Sequence, residues 1–106
     1  MGYVYLIHDS GNNYYKIGVT KTSIKKRMKK LQTGNPTELT LCSYVETTYP
    51  YRLENMLHIY FKSKNILNEW FALDELDIHN FHVTCKQMLS VIESLKDNPF
   101  FSKNLH

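Results

Sequence analysis

The sequence is poor in cysteine, has no long apolar run, and has one stretch with no acidic residue. Only Cys42 and Cys85 occur in 106 residues. They lie far apart and form no metal-ligand spacing, which excludes a cysteine-built metal site. Both are expected to be reduced core residues of an intracellular protein. No apolar run approaches the roughly 18 residues of a membrane span. The first residues lack a basic segment followed by an apolar one, so no signal peptide is expected, and the expected location is cytoplasmic or nuclear, away from membranes. There is no internal repeat and no low-complexity segment.

The missing acids matter most. Seven of the thirteen Lys and Arg residues, Lys16, Lys21, Lys25, Lys26, Arg27, Lys29 and Lys30, fall in a window without Asp or Glu. An ordinary solvated helix face interleaves opposite charges. The acids gather later, many between Glu69 and Glu93. One face should therefore attract a polyanion while another does not. The chain is 42% hydrophobic and 22% charged, enough to fold. Its length suits one domain, expected over residues 1–96, with a loosely held tail at 97–106 in which Phe100 and Phe101 dock.

Tyr3 to Ile7 is aromatic and β-branched, and Tyr14 to Thr20 resumes that character after the turn-rich Asp9-Ser10-Gly11-Asn12-Asn13. The two read as an antiparallel hairpin. Tyr3, Tyr5 and Ile7 share one face, Val4 and Leu6 the other. Both faces are apolar, so the hairpin should be covered on both sides. Gly18, inside the second strand, marks a close approach of another group. Thr22 or Ser23 caps a helix to about Gln32, with Ile24, Met28 and Leu31 as its apolar stripe. Its lysines then face solvent and Arg27 sits beside the stripe. Gly34 and Pro36 stop this helix.

Leu39 to Thr47 predicts a third strand, with Leu39, Leu41, Ser43 and Val45 on one side. Pro50 opens a helix over Tyr51 to Lys62 that buries Leu53, Met56, Leu57, Tyr60 and Phe61. Glu54 and His58 share a face of it. Ser63 to Asn68 reads as a loop. Glu69 to Leu73 reads as a further strand or packed extended segment, with Trp70 and Phe71 in the core. A last helix, about 77–96, buries Phe81, Cys85, Met88, Leu89, Ile92 and Leu95. His79 and His82, three apart, lack a further ligand and read as surface residues.

Tyr3-Val4-Tyr5, Tyr15-Lys16-Ile17-Gly18-Val19-Thr20, Arg27, Leu31-Gln32-Thr33-Gly34-Asn35-Pro36, Leu53-Glu54 with His58, and Glu69-Trp70-Phe71 follow one another in a short chain. In this order they resemble the GIY-YIG nuclease superfamily, in its branch common among phage and large-virus proteins, whose second triplet reads KIG. The resemblance covers Gly2 to Leu73. It implies an α+β fold: a small central antiparallel sheet of about three strands flanked by helices, here with an extra C-terminal helix. It also implies divalent-metal-dependent DNA cleavage. Lys16 departs from it, standing where that superfamily usually places a tyrosine. Tyr15 cannot substitute, because a one-residue shift in a strand turns its ring to the opposite face.

Phosphodiester hydrolysis needs an activated water, neutralisation of charge at phosphorus and help for the departing oxygen. Glu54 is the carboxylate expected to hold Mg²⁺ or Mn²⁺. Arg27 is expected at the scissile phosphate. Tyr5 orients or deprotonates water, its ionised form favoured by Lys16, Arg27 and the metal. Lys16 binds phosphate, lowers the Tyr5 pKa or acts as base. His58 bonds the leaving group or a metal-bound water. Each has a plainer reading: a helix glutamate, a surface base, a core aromatic, a sheet-edge lysine, a structural histidine. Glu69 would orient Arg27 or a lysine, and Asn65 or Asn68 would supply an asparagine to the site. Lys21, Lys25, Lys26, Lys29 and Lys30 are expected to neutralise DNA phosphates, with little sequence specificity. Two alternatives stand beside the nuclease: a DNA-binding module of the same fold with weak or no turnover, and a protein-interaction domain.

Overall fold

The computed structural model describes residues 1–96; the expected tail, with Phe100 and Phe101, lies outside the described residues. The hairpin forms as the pattern demands. Strand β1, Gly2–Asp9, pairs antiparallel with β2, Tyr14–Thr20. The turn is closed by Asn13, whose φ of 58° is the left-handed backbone an asparagine tolerates. Asp9 anchors it from within: its carboxylate accepts from the Gly11 amide at 2.9 Å and from the Thr37 hydroxyl, which holds the carboxyl below its usual range.

Helix α1, Ile24–Thr33, starts at Ser23, whose hydroxyl accepts from the Lys26 amide at 3.2 Å. Gly34 ends it. Gln32 then clamps the following loop, donating to the Thr37 carbonyl at 2.9 Å and accepting from the Leu39 amide at 2.8 Å. Asn35 donates to the same Thr37 carbonyl at 2.7 Å. The Gln32 to Pro36 motif is thus a brace that delivers the chain into β3, Leu39–Thr47.

β3 pairs with the other side of β1, but Ile7 faces Leu41 while Leu6 faces Ser43. One extra residue, Cys42, bulges out between them, and a bulge reverses which side of the sheet the alternation serves. The expectation that Leu39, Leu41, Ser43 and Val45 share a side is therefore corrected. Leu39 and Leu41 pack with Tyr5 and Ile7 on the α1 side, whereas Val45 packs with Val4 and Leu6 on the other. Cys42 is exposed, not a core residue; Cys85 is buried as expected.

Helix α2, Pro50–Tyr60, begins on its proline and buries Leu53 and Leu57. Phe61 follows into the core, but Tyr60 is 63% exposed and does not belong to the buried stripe. A 3-10 turn at Lys62–Lys64 leads to a short hairpin: β4, Asn65–Leu67, falls in the stretch expected to be loop, and β5, Trp70–Phe71, falls where a further strand or packed extended segment is expected. The sheet thus has five strands, not about three, in the order β3-β1-β2-β5-β4, all antiparallel. The two added strands are too short to carry a period-2 pattern. The fold class stands as α+β.

The expected last helix is two. Helix α3, Glu75–His79, is nucleated by a capping box in which Asp74 and Asp77 bond each other's backbone amides. Lys64 pairs with both carboxylates, at 3.3 Å from Asp74. Helix α4, Phe81–Leu95, restarts after Asn80 and buries Phe81, Cys85 and Ile92, with Met88 and Leu89 half-buried; Leu95 is 37% exposed. The sheet is therefore covered on both sides, by α1 over Tyr5 and Ile7 and by α2 and α4 over Val4 and Leu6.

Candidate functional site at the free edge of the second strand

β5 pairs with β2 at Tyr15 and Lys16; beyond them the described residues add no strand to the outer edge of β2, and Glu69 and His58 bond its Ile17 backbone instead. The side chains converge at that edge. Directly paired residues of an antiparallel ladder share a face. Tyr5 pairs with Gly18, Ile7 with Lys16, and Lys16 with Trp70, so Tyr5, Gly18, Lys16 and Trp70 all lie on the α1 side. Tyr15 packs on the opposite side, as the one-residue argument requires.

Gly18 is there for space. A Cβ on it would sit 2.6 Å from Tyr5 Cζ and 2.9 Å from Glu69 Oε1. Its absence lets the buried phenol lie across β2 and bring its hydroxyl toward that edge. Arg27, half-buried on α1, donates from Nε to Tyr5 Oη at 3.3 Å. That contact raises the guanidinium pKa and pulls the phenol down, but burial has the larger effect and the Tyr5 pKa is raised overall. The expectation that nearby cations leave Tyr5 easier to ionise is corrected for the metal-free protein: its ring is 1% exposed, and that desolvation wins. Lys16 does not act on Tyr5 as foreseen; its ammonium lies 3.5 Å from the Glu69 carboxylate.

From the other side, α2 directs Glu54 and His58 around the same edge. The His58 Nε2–H donates to the Ile17 carbonyl at 3.0 Å, and its ring packs edge-on against Phe71 at 5.0 Å. These two contacts fix the position and orientation of the ring beside the β2 edge. Ile17 also donates its amide to the Glu69 carbonyl at 3.0 Å, which seats Glu69 beside Glu54. One donor atom each from Glu54, His58 and Glu69 falls within 4.8 Å of the others.

The Glu54 pKa is pushed up to about 7, first by burial, then by the charge of Glu69 and a hydrogen bond to it, with Lys16 opposing. Two carboxylates this close share a proton or a cation. The donor set, two hard oxygens and an imidazole, fits a divalent cation.

Sequence reasoning underrated Glu69. Its signal was its position just before Trp70, the β5 residue that pairs with Lys16. Asn65 and Asn68, by contrast, build the β4–β5 turn. The Asn65 amide donates to the Asn68 carbonyl at 2.8 Å and to that of Trp70 at 3.1 Å, and Asn68 takes a φ of 50°. They supply the turn's geometry, not an asparagine to the site. His79 and His82 are exposed, as expected. Lys21, Lys25, Lys26, Lys29 and Lys30 are exposed on and just before α1; Lys30 lines a hollow with Lys16 and Arg27, whereas Lys25 faces Tyr3, Leu41 and Tyr44 on the other side of the helix, and Lys21 lies 5.4 Å from the Tyr51 ring centroid.

The T5orf172 domain matches residues 2–94, nearly the whole described chain. The chain belongs to the T5orf172 domain family. This corrects the reading of the triplets as a GIY-YIG signature, including its phage and large-virus branch. The triplets record a local packing demand, a tyrosine crossing a glycine in a hairpin, and that demand does not identify a family. The match also reaches through α4, beyond Leu73 where the resemblance stopped. The T5orf172 domain is associated with nuclease and DNA-binding functions. No curated protein and no solved structure gives a significant match. No described helix is long and apolar enough to cross a membrane.

Proposed function

We propose that this T5orf172 domain is a divalent-metal-dependent endonuclease that hydrolyses DNA phosphodiester bonds with little sequence preference of its own. The observation that carries the reading is the meeting of Tyr5, Arg27, Lys16, Glu54 and Glu69 at one edge of β2, on a chain whose α1 carries a lysine-rich exposed surface.

Glu54 and Glu69, with His58, are the residues that would hold Mg²⁺ or Mn²⁺. The bound ion would supply Lewis acidity at the phosphate and a more acidic water. This chain's side chains do the rest. Arg27 uses Nε on Tyr5, which leaves the other guanidinium N–H groups for phosphate oxygens, where a permanent charge stabilises the charge that develops. Tyr5 Oη, already accepting from Arg27, still has its own proton to donate and one lone pair with which to orient a water. Lys16 neutralises a neighbouring phosphate, with Glu69 limiting its reach. The lysines of α1 bind the flanking backbone.

Nicking of supercoiled plasmid in Mg²⁺ or Mn²⁺, abolished by EDTA, tests the activity. Glu54→Gln should abolish nicking while DNA retention survives. Full nicking by a clean Glu54→Gln preparation would remove Glu54 as the metal anchor. A second reading, a DNA-binding module without turnover, is favoured by two observations: the raised Tyr5 pKa and the pairing of Lys16 with Glu69. It predicts salt-sensitive binding and no cleavage in any divalent metal.

A further inference from the structure

Next to the site, and sharing Lys16 and Arg27 with it, is a hollow of about 370 Å³. Lys30 joins those two cations on its walls, and Trp70, Leu31 and Leu39 make them apolar. The Lys16 ammonium lies 5.5 Å from the Trp70 ring centroid. The indole itself is half-buried, held against Tyr5 and Ile7. A rigid aromatic ring with three cations around it matches a nucleotide, which joins a flat apolar base to an anion. In a duplex the bases are stacked on each other and present only their edges. A base face can reach an aromatic ring only where the strand is unpaired.

We propose that this hollow seats one unpaired nucleotide adjoining the scissile phosphate, its base against Trp70 and its phosphate among Lys16, Arg27 and Lys30. The protein therefore selects DNA with a single-stranded nucleotide at the cut. This inference rests on the nuclease reading above and gives that reading its substrate class.

Trp70 is the only tryptophan in the chain, so intrinsic fluorescence reports the hollow directly. The wild-type protein is titrated in EDTA with a short single-stranded oligonucleotide and, separately, with a blunt duplex of the same sequence. End-label anisotropy follows binding in both titrations. The single strand should quench Trp70 on the order of twofold at saturation, while the duplex binds with little quenching. Trp70→Leu should weaken single-strand binding about tenfold, the scale of one lost stacking contact, and leave duplex binding within about twofold. Trp70→Phe, which keeps a ring, should fall between. Single-strand binding without quenching, or equal quenching by both DNAs, would overturn the hollow as a base site and leave the nuclease reading intact. No anisotropy change with either DNA would overturn both. The wild-type measurement decides even if a Trp70 variant fails to fold.

Discussion

Removing the Glu54 charge should make the metal-free protein more stable at alkaline pH. In the folded chain the Glu54 pKa is raised from 4.5 to about 7 by burial and by Glu69. Between those two values the folded state holds a proton that the unfolded state has released. Stability therefore falls as pH rises through that window, and is flat below about 4.5 and above about 7 with respect to this group. At 1.36 kcal/mol per pH unit the full gap is worth roughly 3 kcal/mol. Glu54 is half-buried, so solvent screening reduces this to about 1–2 kcal/mol. Glu54→Gln keeps a hydrogen-bonding group of the same shape that never ionises. In EDTA the variant should match the wild type at pH 4 and exceed it at pH 8 by about 1–2 kcal/mol, or roughly 5–10 °C in Tm for a domain of this size. Urea denaturation at a series of pH values is the assay. Millimolar Mg²⁺ at pH 8 should raise the Tm of the wild type and not of the variant, because only the wild type keeps both carboxylates. Parallel stability–pH curves for the two proteins, or a variant less stable at pH 8, would refute the claim that the carboxylate pair is strained without a cation.

Gly18→Ala should destabilise by about 1–3 kcal/mol by overpacking, since the new methyl would lie 2.6 Å from the buried Tyr5 Cζ. It should also abolish nicking, whereas Gly34→Ala, with nothing within 4 Å, should leave the Tm unchanged or slightly raised. Thermal melts with both variants check this. The plot of log binding constant against log salt should have a slope of about −4 for four to five phosphate contacts, and Lys25→Glu, Lys26→Glu and Lys29→Glu together should flatten it and release the DNA; anisotropy titrations from low to moderate salt measure it. A thiol reagent should label one cysteine per native chain and two per denatured chain. Cys42 is exposed, while Cys85 is buried with its thiol pKa pushed up to about 12.

Local pattern carried much of the fold into view. The β1–β2 hairpin, the Ser23 cap, the Ile24, Met28 and Leu31 stripe and the Leu39–Thr47 strand all follow from periodicity and turn chemistry over a few residues. So do the opposite facing of Tyr15 and Lys16 and the lysine-only surface of α1. Strand β4, three residues long, is too short to show a period and reads as loop, whereas the aromatic pair of β5 marks an extended segment. The break at Asn80 was hidden because an apolar stripe continues across it.

What the sequence by itself determined is the composition of each face: which side of each strand is apolar, and where positive charge accumulates without relief. The tertiary structure decided which faces meet. The Cys42 bulge, a matter of pairing between β1 and β3, reversed the side that Val45 serves. The approach of Glu69 to Glu54 depends on β5 beginning where it does along β2, and on α2 packing on the far side of that sheet. Neither fact is written in any short window of the chain. The Glu54 pKa is set first by its burial and then by its distance to Glu69, fifteen positions away in sequence, and both are decided by how the strands and helices pack.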